Sequence, residues 1–123
     1  MDIEYKKSKI HNLGVFAKKN FKIGEIIEEC PVLVLSHETT GLIDEKEIDN
    51  YSFDWVEHKS AIVLGYGSLY NHDYNPSARY LKDFKKNILT IKAIQKIKKG
   101  QEITLNYNGD PKDKTPVWFD HKN

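Results

Sequence analysis

The sequence predicts a mostly β single domain with little helix, on three observations. Short β-rich runs recur between turn signals, and residues 87–93 (N-I-L-T-I-K-A) alternate in polarity as a half-buried strand does. The clearest helical spacing, Ile43, Ile48, Tyr51 and Trp55, lasts only one or two turns. Taken in order, G-V-F-A (14–17) is a strand, followed by a charged segment that ends in a glycine turn at Gly24. E-I-I-E-E-C-P-V-L-V-L (25–35) splits at Pro31 into strands 25–30 and 32–35, because proline has no N–H for a ladder. Residues 36–59 form a polar insert, S-A-I-V-L-G (60–65) a buried strand, and 71–80 a loop. The lysine-rich 94–100 reads as a solvated turn, 101–107 as a last strand, and about 108–123 as a loop closing on aromatics.

Composition narrows the function classes. A chain of 123 residues suits one domain spanning 1–123 with one modest core. The formal net charge is +1 and Arg79 is the only arginine, so no direct nucleic-acid reader is expected: arginine forks are the preferred readers of phosphate and guanine. Cys30 is the only cysteine, which excludes an intramolecular disulfide and a cysteine-rich zinc site. With no apolar run of spanning length and no signal-like start, a soluble intracellular protein, cytoplasmic or nuclear, without a membrane role is expected.

Three short segments carry the chemistry: N-L-G-V-F-A (12–17), N-H-D-Y-N-P-S-A (71–78) and G-Q-E-I-T-L-N-Y (100–107). In this order and at these separations they resemble the SET-domain protein lysine methyltransferases. That family's signatures are Gly-x-Gly before an apolar-aromatic pair, Asn-His-Ser-x-x-Pro-Asn, and Gly-Glu-Glu-Leu/Ile-Thr-x-x-Tyr. Here Asn12 stands for the first glycine, Asp73 for the serine, Ser77 for the second asparagine and Gln101 for the first glutamate. Asparagine tolerates left-handed backbone, so Asn12 can keep the loop's shape.

The resemblance implies a β-clip-like SET fold of several small sheets, with the third motif threaded as a C-terminal pseudoknot beside Asn71 and His72. It implies transfer of a methyl group from S-adenosylmethionine (SAM) to a lysine of a protein or peptide substrate, giving S-adenosylhomocysteine, with no metal. Tyr107 would be the catalytic tyrosine. Asn12, Leu13, Gly14, Asn71, His72 (largely through its backbone) and Tyr107 would hold SAM. Trp118 and Phe119 would cover it, in place of the cysteine-rich segment of other members. The lysine channel would take Tyr51, Tyr80, Leu105 and Tyr107, with Tyr80 limiting the product to low methylation states. Tyr51 is open between channel and core; Tyr70 leans toward packing; His11, His37, His58 and His121 read as surface residues. Asp73 points away from His72 in an extended chain, so the pair makes a poor metal site.

Two other readings stand beside the enzyme: a SET fold that only docks peptides or a partner, and a non-enzymatic β-clip domain. Small family members are sometimes dimeric, and a homodimer would add to a limited core. The substrate is left open by the sequence.

Overall fold

A computed structural model describes residues 2–43 and 51–115. They form nine strands in two sheets among the described residues. β1 (Ile3–Lys7), β2 (Leu13–Ala17), β9 (Glu102–Leu105) and β6 (Asn71–His72) make one sheet in the order β1-β2-β9-β6. β4 (Phe53–Asp54), β5 (Ser60–Val63), β3 (Ile26–Val34), β8 (Ile88–Ala93) and β7 (Ala78–Asp83) make the other, in the order β4-β5-β3-β8-β7. All pairings are antiparallel except β6 with β9, which is parallel.

The sheets form because alternate residues find a common interior. In β8, Leu89, Ile91 and Ala93 are buried while Ile88, Thr90 and Lys92 are only partly so, as the alternating pattern predicts. β8 lies between β3 and β7, so both of its edges are paired. Val15, Cys30, Leu89, Ile91, Ile103 and Leu105 have no exposed surface and join both sheets into one core. Burial of each large aliphatic side chain stabilises by about 1.5–3 kcal/mol.

The expected strands at 14–17, 60–65, 87–93 and 101–107 are present, and four expectations need correction. Pro31 does not end a strand: β3 runs through it as a single element. Residues up to Pro31 pair with β8, and Val32 to Val34 pair with β5, so the missing N–H falls where the strand changes partner. The Pro31 carbonyl still accepts from Leu64 N–H at 2.9 Å.

The stretch 71–80 is not all loop, for it contains β6 and the start of β7. β7 was hidden because A-R-Y-L-K-D shows no clean alternation; its pairing with β8 makes it a strand. The helical turns expected around Ile43 to Trp55 fall mainly on residues 44–50, which lie outside the described residues, and at their far end Trp55 is not helical. A short helix α1 (His37–Ile43) is capped by Ser36, whose hydroxyl accepts from Thr39 N–H at 3.1 Å. Ile48 lies outside the described residues. Trp55 is extended and buried, its indole N–H donating to Asn87 Oδ1 at 3.1 Å. Finally, the lysine-rich turn is not wholly solvated, because Ile97 is 1% exposed and bridges to Phe21.

The core position of β8 yields a stability prediction. Ile91→Ala should lower unfolding free energy by about 2–5 kcal/mol, read as a shifted urea midpoint. Leu81→Ala, at a side chain 41% exposed, should cost less than about 1 kcal/mol.

Candidate active site

Asn71 and His72 reach the third motif through the parallel ladder, in which Asn71 pairs with Thr104 and His72 with Leu105. Ser77 and Thr104 lock the junction by exchanging hydrogen bonds. Ser77 N–H donates to Thr104 Oγ1 at 3.2 Å and Thr104 N–H donates to Ser77 Oγ at 3.1 Å. Ser77, where the signature has asparagine, thus bonds to β9 through both its N–H and its hydroxyl oxygen. Asp73 closes a local turn, accepting from Asn75 N–H at 2.8 Å, while its own N–H donates to the Leu105 carbonyl at 2.9 Å.

Tyr107 follows directly from this seam. Its N–H donates to His72 Nδ1 at 3.0 Å and its hydroxyl donates to the Tyr70 carbonyl at 2.6 Å. His72 thus acts with its ring as well as its backbone: Nδ1 is an acceptor, which places the proton of the neutral imidazole on Nε2. Burial pushes the Tyr107 phenol up to about 12, helped by nearby Tyr51 and Glu102, so the hydroxyl stays protonated at neutral pH.

On the other side of Asn71 lies the first motif. Asn71 Nδ2 donates to the carbonyls of His11 and Leu13 at 3.1 and 3.0 Å, and to Glu102 Oε2 at 2.8 Å. Glu102 also accepts from the Ser8 hydroxyl at 2.6 Å. Asn12 has φ of +39°, so asparagine does supply the left-handed turn expected of it. At Gly14 the requirement is room: an added Cβ would collide with the Glu102 carboxylate and lie 3.0 Å from Asn71 Nδ2. Glu102 is a site residue that sequence reasoning passed over, although it is the retained second glutamate of G-Q-E.

A groove of about 340 Å³ opens beside Tyr107, with Tyr51, Phe53, Tyr70, Tyr80 and Lys82 among its walls. Tyr51 is 41% exposed at this surface and does not pack in the core. The Tyr80 hydroxyl donates to the Tyr107 carbonyl at 3.3 Å, tying its ring across the groove, and Phe53 meets that ring edge-on at 5.4 Å. Lys82 Nζ donates to the Asp54 carbonyl at 2.7 Å and lies 5.7 Å from the Tyr80 ring centroid. Desolvation lowers its pKa, against the opposing pull of Asp54. Such a wall already accommodates an alkylammonium.

The structure brings together Asn12, Leu13, Gly14, Asn71, His72 and Tyr107 around the seam, and Tyr51, Tyr80 and Tyr107 around the groove. Leu105 is the exception: it is fully buried, and the groove's lining does not include it. Leu105 lies beside Ile103 in the hydrophobic core, with which β9 packs along most of its length. Trp118, Phe119 and His121 lie outside the described residues. Tyr70 is buried as expected, while its carbonyl serves Tyr107; His11, His37 and His58 are exposed. Among the described residues no group of three or more His, Cys, Asp or Glu could hold a metal ion, and no helix is long and apolar enough to cross a membrane.

The SET-domain family model matches residues 12–108, and the chain belongs to that family. A fission yeast (Schizosaccharomyces pombe) protein named histone-lysine N-methyltransferase, H3 lysine-37 specific, is 30% identical over 119 residues, covering 96% of this chain and 77% of its own. A Plasmodium falciparum crystal structure, provisionally assigned as a histone methyltransferase, is 30% identical with a TM-score of 0.71, covering 86% of this chain and 92% of its own.

The packing at Gly14 is directly testable. Gly14→Ala should destabilise the protein by about 1–3 kcal/mol through overpacking against Glu102, measured by urea unfolding.

Proposed function

We propose that the protein is a SAM-dependent protein-lysine N-methyltransferase. The observation that carries this reading is the Tyr107 hydroxyl fixed on the Tyr70 carbonyl at the wall of a tyrosine-lined groove. Family membership and the two relatives support lysine methyl transfer; the cofactor and the residue roles are our reading of the geometry.

The oxygens gathered here suit a sulfonium donor. A neutral phenol and a backbone carbonyl supply partial negative charge without a nucleophile that could itself take the methyl group. When bound, SAM supplies an electrophilic methyl group. The turn Asn12-Leu13-Gly14, with Asn71 and His72, would hold its amino-acid and adenosine parts. Asn71 keeps that turn closed by binding the Leu13 carbonyl within it and the His11 carbonyl just before it.

The groove's part is to bring a lysine amine into line and strip its water. A free lysine has a pKa of about 10.4, and attack needs the neutral amine. Burial in the groove disfavours the charged amine by desolvation, as burial does for Lys82, while the rings still hold the alkyl chain. The proton leaves to solvent along the open groove before attack. Tyr80, anchored at its hydroxyl, narrows the space beside the amine, which favours low methylation states. The substrate class is a lysine on an extended protein segment, since the groove is a surface feature.

Incubation with methyl-labelled SAM, recombinant core histones and a lysine peptide array tests the assignment. Label transferred to lysine is expected. Calorimetry showing no binding at millimolar SAM defeats the enzyme reading and leaves a docking module. Tyr107→Phe should reduce kcat by about a hundredfold. Wild-type kcat should rise with pH as the substrate amine deprotonates, with no fall from Tyr107 ionisation below about pH 10, because the raised pKa keeps the phenol neutral. Tyr80→Phe should raise the proportion of di- and trimethylated product in mass spectra.

A further inference from the structure

Resting on the methyltransferase reading, we propose that Glu28 on β3 is a positioning residue, which sets Tyr107 in the groove by clamping the turn that ends at Tyr70. Glu28 Oε1 accepts from the Tyr70 hydroxyl at 2.8 Å, and Oε2 accepts from the Tyr66 N–H at 3.0 Å. Between these two partners lies the short 3-10 helix Gly67–Leu69. The carbonyl of Tyr70 in turn accepts the Tyr107 hydroxyl at 2.6 Å. One carboxylate therefore fixes Tyr70 at its ring end, and Tyr70 fixes Tyr107 at its backbone end.

The same turn reaches the opposite wall, where the Ser68 hydroxyl donates to the Tyr51 carbonyl at 2.9 Å. Its seat on β3 is close. A Cβ at Gly65 would collide with Glu28 Oε2, and one at Gly67 would collide with Val63 and lie 3.4 Å from Cys30 Sγ. Two donors, the Tyr70 hydroxyl and the Tyr66 N–H, converge on the two carboxylate oxygens of Glu28. Burial, and after it the Glu28 charge, pushes the Tyr70 phenol well up, so its hydroxyl stays a neutral donor. Glu28 is not among the residues lining the groove, so its influence passes through Tyr70.

The test compares wild type with Glu28→Ala, Glu28→Gln and Tyr70→Phe in the full chain. Turnover is measured with labelled SAM and recombinant core histones, SAM affinity by calorimetry, and the Tyr107 environment by its ¹³Cζ resonance in labelled protein. Glu28→Ala should lower kcat by about 10–100-fold, a loss of the size caused by a misplaced catalytic group, and should move the Tyr107 resonance. SAM Kd should weaken by much less than kcat, by at most about fivefold, since Asn12, Leu13, Gly14, Asn71 and His72 keep their contacts. Glu28→Gln, which keeps one acceptor for the Tyr70 hydroxyl, should recover part of the loss. A kcat within twofold of wild type with an unmoved resonance overturns the proposal, as does a SAM Kd that weakens in step with kcat. Should Glu28→Ala not fold, Tyr70→Phe decides by the same two readouts. A wild type that turns nothing over defeats the methyltransferase reading, while the resonance still decides whether Glu28 positions Tyr107.

Discussion

The parallel pairing of β6 with β9 is the constraint on which the site depends. It joins Asn71 and His72 to Thr104 and Leu105, and the Ser77–Thr104 exchange keeps it in register. From one strand end hangs Tyr107, held by the His72 ring; from the other, Asn71 reaches across to the first motif. A slip by one residue would turn Leu105 out of the core and Thr104 away from Ser77. The hydrophobic cost of exposing Leu105 therefore also protects the geometry of Tyr107. Core and site share one strand.

Polar side chains around this seam join segments that are distant in sequence. Glu102 takes up Ser8 and Asn71, Glu28 takes up Tyr66 and Tyr70, and Asn106 Nδ2 donates to the Asp113 carbonyl at 2.6 Å. Each connects segments that the strands alone would leave as loops. Buried hydrogen bonds of this kind add modest net stability, but losing one partner leaves the other unsatisfied at greater cost. They select one arrangement of the loops rather than many.

Much of this was legible in the sequence, for a physical reason. Gly14, Asn71, His72 and Tyr107 sit in short local patterns whose residue types are rare in combination, and the alternation of β8 follows from one buried face. What was not legible depended on partners far along the chain. Glu28 finds Tyr70 at a separation of 42 residues, and Glu102 finds Ser8 at 94. In isolation each is one acidic residue in a strand. β1 and β7 are edge strands with charged outer positions, so their pattern is weak until a neighbour pairs with them. Pro31 misled because the rule against proline in a ladder is a rule about one N–H, and β3 changes partner where that N–H is absent. Leu105 is buried in the core and is not among the groove's lining residues, which family spacing along a strand does not reveal.

The placement of β9 has a consequence for how the chain reaches this state. Val15 pairs with Ile103, so the central ladder of the smaller sheet closes a loop spanning most of the described chain. Contacts so remote in sequence require a large loss of chain entropy before any reward, which slows folding relative to proteins built from local contacts. Until β9 docks, β2 presents an unpaired edge and Leu105 and Ile103 lie in water. The arrangement that gives the tyrosine its fixed seat therefore leaves an unpaired strand edge, a site open to aggregation, for as long as that ladder is unformed.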